Sequence, residues 1–223
     1  MNRKELFTVL EKYGITPSKS KGQNFLVDTN MLNAMVSAMD LQEGENILEV
    51  GPGTGVLTRI IIEAGCQLTS VEMDKKLHLY LTENIVSDNF KLIYGDACRV
   101  DYSDILDYSK PFRCIANLPY AISSVFIAKM IELPQPPLDM YFLLQREMAE
   151  RFTAKTRTKS YGSLTVRAGA LYDSKILRIV PPGVFHPPPK VDSAFIQMKR
   201  KENTPSPETL KTLNKVVRAA FSQ

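Results

Sequence analysis

Four short segments of this chain have the residue types and spacing to do chemistry. The first is Glu49-Val50-Gly51-Pro52-Gly53-Thr54-Gly55, set between an apolar run and a helical one. Glycines there let the backbone turn tightly and let a ligand come against the main chain. A dinucleotide fingerprint needs its third glycine one residue later, and a Walker loop needs a Gly-Lys-Ser/Thr that is missing. The turn therefore favours a nucleoside ligand without a pyrophosphate, a description that S-adenosylmethionine fits. The second segment is Val71-Glu72-Met73-Asp74, with Glu72 standing 21 residues after Gly51. A carboxylate at that strand end accepts from both ribose hydroxyls and repels a 2′-phosphate. The third is Gly95-Asp96-Ala97, where Asp96 can accept from an adenine amino group. Each acid by itself reads as a helix cap or a surface residue, but acid-bearing turns at three successive strand ends mark the edge where ligands bind such sheets.

The fourth segment is Asn117-Leu118-Pro119-Tyr120. Alone it is an ordinary turn. Opposite a methyl donor it becomes a device for activating an exocyclic amine, whose lone pair is delocalised into an aromatic base. The Asn117 side-chain oxygen and the Leu118 carbonyl can accept from the amine's N–H groups, drawing the nitrogen toward tetrahedral geometry. Pro119 keeps the turn rigid, and Tyr120 offers a face for stacking. Positioning and electrostatics would do the work, with no covalent intermediate.

The elements that must hold these segments follow from hydrophobic spacing. Asn2 can cap a helix running to about Tyr13, which Gly14 and Pro17 stop. Asp28 caps a second helix with Met31, Leu32, Met35, Val36 and Met39 at helical spacing, and these methionines read as core filler. Strands are predicted over 46–50, 67–71, 90–94, 113–116 and 140–144, with helices over about 56–64, 74–86 and 122–133. Repeated strand–helix units imply a parallel sheet covered by helices. Strands over 175–180 and 194–198 flank a proline-rich loop and suggest an antiparallel edge pair. Ser206-Pro207-Glu208 starts a last helix, with Leu210, Leu213, Val217 and Phe221 on one side.

Composition bounds what the chain can be. It has 223 residues, 44% of them apolar, enough for one substantial core and too few for two large domains. Neither a membrane span nor a secretory leader is expected. Three scattered cysteines, Cys66, Cys98 and Cys114, and two histidines predict neither a disulfide framework nor a metal site, and point to a reducing, cytoplasmic compartment. The net charge of +4 is uneven: residues 40–110 carry −7 and residues 145–223 carry +9. The basic part suits an anionic partner, although Lys and Arg that merely solvate helix faces would give the same bias.

Together Gln23-Asn24-Phe25-Leu26, Glu49–Gly55, Glu72-Met73-Asp74, Gly95-Asp96-Ala97, Asn117–Tyr120 and Phe185–Ser193 resemble the ribosomal RNA adenine N6,N6-dimethyltransferase family. Asn-Leu-Pro-Tyr and the run from Pro181 to Ser193 resemble its small-subunit branch, with the macrolide-resistance (Erm) branch as nearest relative. The resemblance implies a class I methyltransferase, Rossmann-like α/β fold, mostly parallel with an antiparallel edge strand. It implies S-adenosylmethionine as cofactor, with Gln23, Asn24 and Leu26 at its methionine end and Gly51 and Gly53 beneath it. Glu72 would hold the ribose, Asp96 and Ala97 would meet the adenine, Met73 would also touch the cofactor, and Asn117 would touch both cofactor and target amine. Tyr120 and Phe185 would sandwich a flipped adenine, although without the resemblance Phe185 reads as a plain loop anchor.

By the same resemblance, Arg146, Arg151, Lys155, Arg157, Lys159 and Lys190 would face RNA phosphates within an assembling small subunit, the protein acting as a monomer. Dimethylation of two adjacent adenines near the 3′ end of small-subunit rRNA is the expected activity. An Erm-like enzyme on large-subunit RNA and a non-catalytic RNA-binding assembly or transcription factor are the rivals. Two departures stand out. Lys19-Ser20-Lys21-Gly22 replaces the family's Lys-Arg-Phe-Gly, so Lys21 stands where an aromatic is expected. Relatives also continue past Ala-Phe-Ser-Gln, so residues 1–201 are expected to form the catalytic domain and 202–223 the first helix of a truncated C-terminal helical domain.

Overall fold

The computed structural model describes residues 1–18 and 22–221; the Lys19–Lys21 departure lies outside the described residues. Helix α1 (Arg3–Lys12) is fixed by a capping box, in which Asn2 Oδ1 accepts from Glu5 N–H at 3.0 Å and Glu5 accepts from Asn2 N–H at 2.8 Å. Strand β1 (Phe25–Leu26) follows, then α2 (Thr29–Met39), capped by Asp28 Oδ1 accepting from Met31 N–H at 2.7 Å. The alternating region comprises β2 (Asn46–Val50), α3 (Val56–Glu63), β3 (Gln67–Glu72), α4 (Lys75–Asn84), β4 (Phe90–Tyr94), β5 (Phe112–Asn117), α5 (Ser123–Ile131) and β6 (Asp139–Gln145). Then come α6 (Arg146–Phe152), α7 (Ser163–Leu171), β7 (Tyr172–Val180), β8 (Phe185–His186), β9 (Ser193–Arg200) and α8 (Pro207–Phe221).

Seven strands form one sheet in the order β4-β3-β2-β5-β6-β9-β7. The first five in that order run parallel, as the strand–helix alternation predicts. The antiparallel pair is at the edge as expected: β9 runs against both neighbours, and β7 closes the sheet outside it, with a bulge between Ile176 and Arg178. Connections leave β2 and β5 in opposite directions along the sheet. This puts the topological switch point at the carboxyl ends of those two strands, where open α/β sheets hold ligands.

Both faces of the sheet are buried, so its central strands are mostly apolar, with Glu49 of β2 and Arg113 of β5 as buried charged residues. Cys114 and Ala116 of β5 and Met140, Phe142 and Leu144 of β6 belong to the core under α5, α6 and α7. Ile115, Tyr141 and Leu143 belong to the core under α2 and α3, with Met31, Met35 and Met39. The period of two is the strand's own, and each face receives alternate residues. Full burial of a ring such as Phe142 contributes ~1.5–3 kcal/mol. On α8, Val217 is buried and Leu210 packs on the first core, whereas Phe221, expected on the same side, is 47% exposed.

Candidate active site

The glycine turn leaves β2 with Gly51 at φ 66° and Gly53 at φ 60°, left-handed conformations that a side chain would strain. Below it, one oxygen of Glu49 accepts from Thr58 Oγ1 at 2.7 Å and from Ser70 Oγ at 2.8 Å. Burial pushes this carboxyl up to about 7, against the pull of those two hydroxyls.

At the end of β3, Glu72 is buried yet faces the same cleft. Its Oε1 accepts from Asp74 N–H at 2.8 Å and its Oε2 from Gly53 N–H at 3.4 Å, so the acid pins the glycine turn to the end of β3. A carboxylate has about four acceptor sites, so main-chain donors leave part of its capacity for a ligand's hydroxyls. Desolvation raises Glu72 to about 7 as well, the main-chain bonds opposing. Asp74 caps α4 through Oδ1, and its Oδ2 accepts from Gln23 Nε2 at 3.3 Å. Asp96 Oδ1 accepts from Cys98 N–H at 2.9 Å, and Oδ2 stands 3.5 Å from Arg99 Nε.

At the end of β5, Asn117 Nδ2 donates to the Asn24 carbonyl at 2.8 Å. The Leu118 side chain is buried, and the Pro119 carbonyl accepts from Ile122 N–H and Ser123 Oγ, both at 3.1 Å. These bonds lock the turn onto the start of α5. Tyr120 is half-buried, with its hydroxyl 2.9 Å from Ser193 Oγ, and burial raises its pKa.

One cleft, about 1120 Å³ counting its open mouth, collects Gln23, Asn24, Leu26, Gly51, Gly53, Glu72, Met73, Asp96, Ala97 and Asn117, with Pro119 beside them. Every residue expected at a cofactor therefore lines the same space. Leu118, Tyr120 and Phe185 do not line it. For Phe185 the structure corrects the stacking expectation: its ring is 2% exposed within the core that holds the α2 methionines, so it has no open face for a base. The loop-anchor reading is the one that fits. Leu26 pairs with Phe185 and Phe25 with His186, so the loop holds down the strap of chain over the cleft. Sequence reasoning gave Glu49 no role and missed Leu32, Met35 and Leu143 on the cleft wall. For Met35 the helical spacing was visible, but one residue serves both core and wall.

The basic block takes a form the spacing did not disclose. Arg146 and Arg151 lie on α6, where Arg146 pairs with Glu150 at 2.9 Å and Arg151 with Glu147 at 2.6 Å. Arg146 also lies 3.8 Å from Asp192. Lys155, Arg157, Lys159 and Lys190 are exposed and, among the described residues, have no ion pair, which leaves them open to an anion.

The sequence pattern of the ribosomal RNA adenine dimethylase family matches residues 16–223. This chain belongs to that family. It is accordingly a methyltransferase of rRNA adenine dimethylation. The ribosomal RNA small subunit methyltransferase A of Clostridium acetobutylicum is 35% identical over 216 residues, covering 96% of this chain and 78% of that one. The protein of the same name from Ureaplasma parvum is 37% identical, covering 99% and 81%. Among solved structures, a dimethyladenosine transferase from Plasmodium falciparum superposes with a TM-score of 0.75 at 25% identity, covering 89% of this chain and 71% of that one. The 23S rRNA methyltransferase ErmE gives 0.72 at 25%, covering 89% and 79%. The family's two branches are thus alike in fold, and the α/β sheet with its antiparallel edge is common ground.

Proposed function

We propose that the chain transfers methyl groups from S-adenosylmethionine to N6 of two adjacent adenines near the 3′ end of small-subunit rRNA, two to each. The observation that carries this reading is the meeting of the Gly51–Gly53 turn, the buried Glu72 carboxyl and the Asn117 carboxamide in one cleft. The residues present fit the cofactor. A Cβ at Gly51 would touch nothing within 4 Å, so the turn leaves main chain open to a ligand, and Glu72 keeps acceptor sites unused. When bound, S-adenosylmethionine supplies an electrophilic methyl group on a sulfonium.

The chain's own residues do the rest. Glu72 holds the ribose hydroxyls, Asp96 and Ala97 meet the adenine, and Met73 supplies an apolar flank. Gln23, Asn24 and Leu26 close the methionine end. Asn117 Oδ1 and the Leu118 carbonyl accept from the target N6–H groups, which withdraws the lone pair from the ring and aims it. Tyr120 stacks on the base, backed by its bond to Ser193. Lys155, Arg157, Lys159 and Lys190 neutralise phosphates and so set affinity, leaving site choice to RNA shape in the assembling subunit.

The choice of small-subunit RNA is supported by the name shared by relatives at 35–37% identity. Immature small subunits and naked large-subunit RNA incubated with methyl-labelled cofactor provide the test. Label recovered as N6-dimethyladenosine in the small subunit is expected. Label in large-subunit RNA alone would reverse the assignment.

A further inference from the structure

The strap Gly22–Leu26 lies on the Asn117–Tyr120 turn as well as over the cofactor cleft. Gly22, at φ +61°, sits so close to the turn that a Cβ there would be 2.9 Å from Pro119 Cβ and 3.1 Å from Pro119 Cα. Asn24 Nδ2 donates to the Gly22 carbonyl at 3.3 Å, which folds the strap back on itself. Its backbone carbonyl is thereby presented to Asn117 Nδ2, 2.8 Å away. At the far end, Leu26 is paired with Phe185.

A carboxamide has a donor side and an acceptor side, and the two differ only by a flip. Were Asn117 flipped, its Oδ1 would face the Asn24 carbonyl, lone pairs against lone pairs. Its Nδ2 would then face the cleft, donor toward donor, wherever an amine is to be activated. In the observed orientation Nδ2 is taken by Asn24, and among the described residues no protein donor reaches Oδ1.

We infer that the main-chain carbonyl of Asn24 is a positioning group for methyl transfer, holding the Asn117 carboxamide with its acceptor toward the target amine. This rests on the methyl-transfer reading of the cleft. The strap thus couples cofactor enclosure to the readiness of the amine site. When it lifts, Asn117 loses the bond that fixes its flip.

The test is Asn117→Asp in the full chain. An ionised carboxylate turns an oxygen toward the Asn24 carbonyl and is repelled. A protonated one donates its O–H to that carbonyl and keeps the other oxygen as acceptor, restoring the native pattern. The introduced carboxyl should therefore titrate by NMR well above the usual ~3.9 of an aspartate. At saturating cofactor, the variant's kcat relative to the unsubstituted chain should fall about 10- to 100-fold between about pH 6 and pH 8, following the protonated fraction. A second variant, Gly22→Ala, lifts the strap from Pro119 and should lower kcat about tenfold at saturating cofactor. A carboxyl titrating near its ordinary value, a kcat ratio flat with pH, or an undiminished Gly22→Ala kcat would each overturn the inference. Failure of the unsubstituted chain to form N6-dimethyladenosine would overturn the rRNA reading alone, since the carboxyl titration needs no substrate and still decides the Asn24–Asn117 contact.

Discussion

Protonation of Glu72 should set how tightly the cofactor binds near neutral pH. Its carboxyl is held at about 7 by burial, against 4.5 for an ordinary glutamate. Ribose hydroxyls donate, so they bind the ionised form and favour proton loss. Affinity then scales with the fraction ionised in the free protein, about nine-tenths at pH 8 and about one-tenth at pH 6. Between those values the dissociation constant should weaken about tenfold, about 1.4 kcal/mol, with about half a proton released per binding event at pH 7. Isothermal titration calorimetry with S-adenosylhomocysteine, in buffers of different ionisation enthalpy, reads both quantities. Glu72→Gln should bind more weakly at pH 8, having lost charge-assisted acceptance, and show no such slope. Glu49→Gln separates the two acids: Glu49 also lines the cleft and is held at about 7, but its Oε2 is engaged by Thr58 and Ser70, so the slope should survive this change. A flat pH profile in the unsubstituted chain, or the same slope after Glu72→Gln, would refute the reasoning.

Asn117→Ala should abolish methyl transfer while keeping most cofactor affinity, by calorimetry beside a labelled-methyl assay; near-normal turnover would remove the amine-positioning role. Glu49 is protonated more readily folded than unfolded, so its contribution to stability falls as pH rises from about 4.5 through 7. Urea unfolding should therefore show Glu49→Gln losing about 2 kcal/mol less than the unsubstituted chain between about pH 5.5 and pH 8. Replacing Lys155, Arg157 and Lys159 together by alanine should weaken binding to subunit RNA and reduce the slope of log affinity against log salt by about 2–3; an unchanged slope would place these residues away from phosphate.

Most of the sheet was legible because its signals are local. Apolar runs of five or six residues, glycines after them and Asp or Ser caps gave nearly every strand and helix of the alternating region within two residues. Helices α6 and α7 were not, for reasons visible in their packing. Helix α6 is seven residues long, and its charges mask Ala149 and Phe152, the two residues it buries. Helix α7 contains Gly169 and buries Thr165, Ala168 and Leu171 among small neighbours, so its apolar face has little contrast. The two-residue pair β1–β8 could not be read at all, since its partners stand 159 and 161 residues apart in the chain and neither has a strand's length. At the site, residue types sufficed to gather the cleft, because each acid or glycine follows a strand and all strand ends share one edge. Phe185 was misjudged because an aromatic in a loop suits a stacking face and a core anchor equally, and only burial separates them.

The bulge between Ile176 and Arg178 has a consequence for how the chain behaves in company. Strand β7 ends the sheet, with one side unpaired among the described residues, and it exposes Leu177 and Ile179, the raw material for strand-to-strand aggregation. The bulge interrupts the regular ladder at that point, while Lys175 and Arg178 place charge among the exposed apolar residues. A second chain approaching in register would have to bury those charges against its own copies, so the border of this sheet is built to stay unmatched.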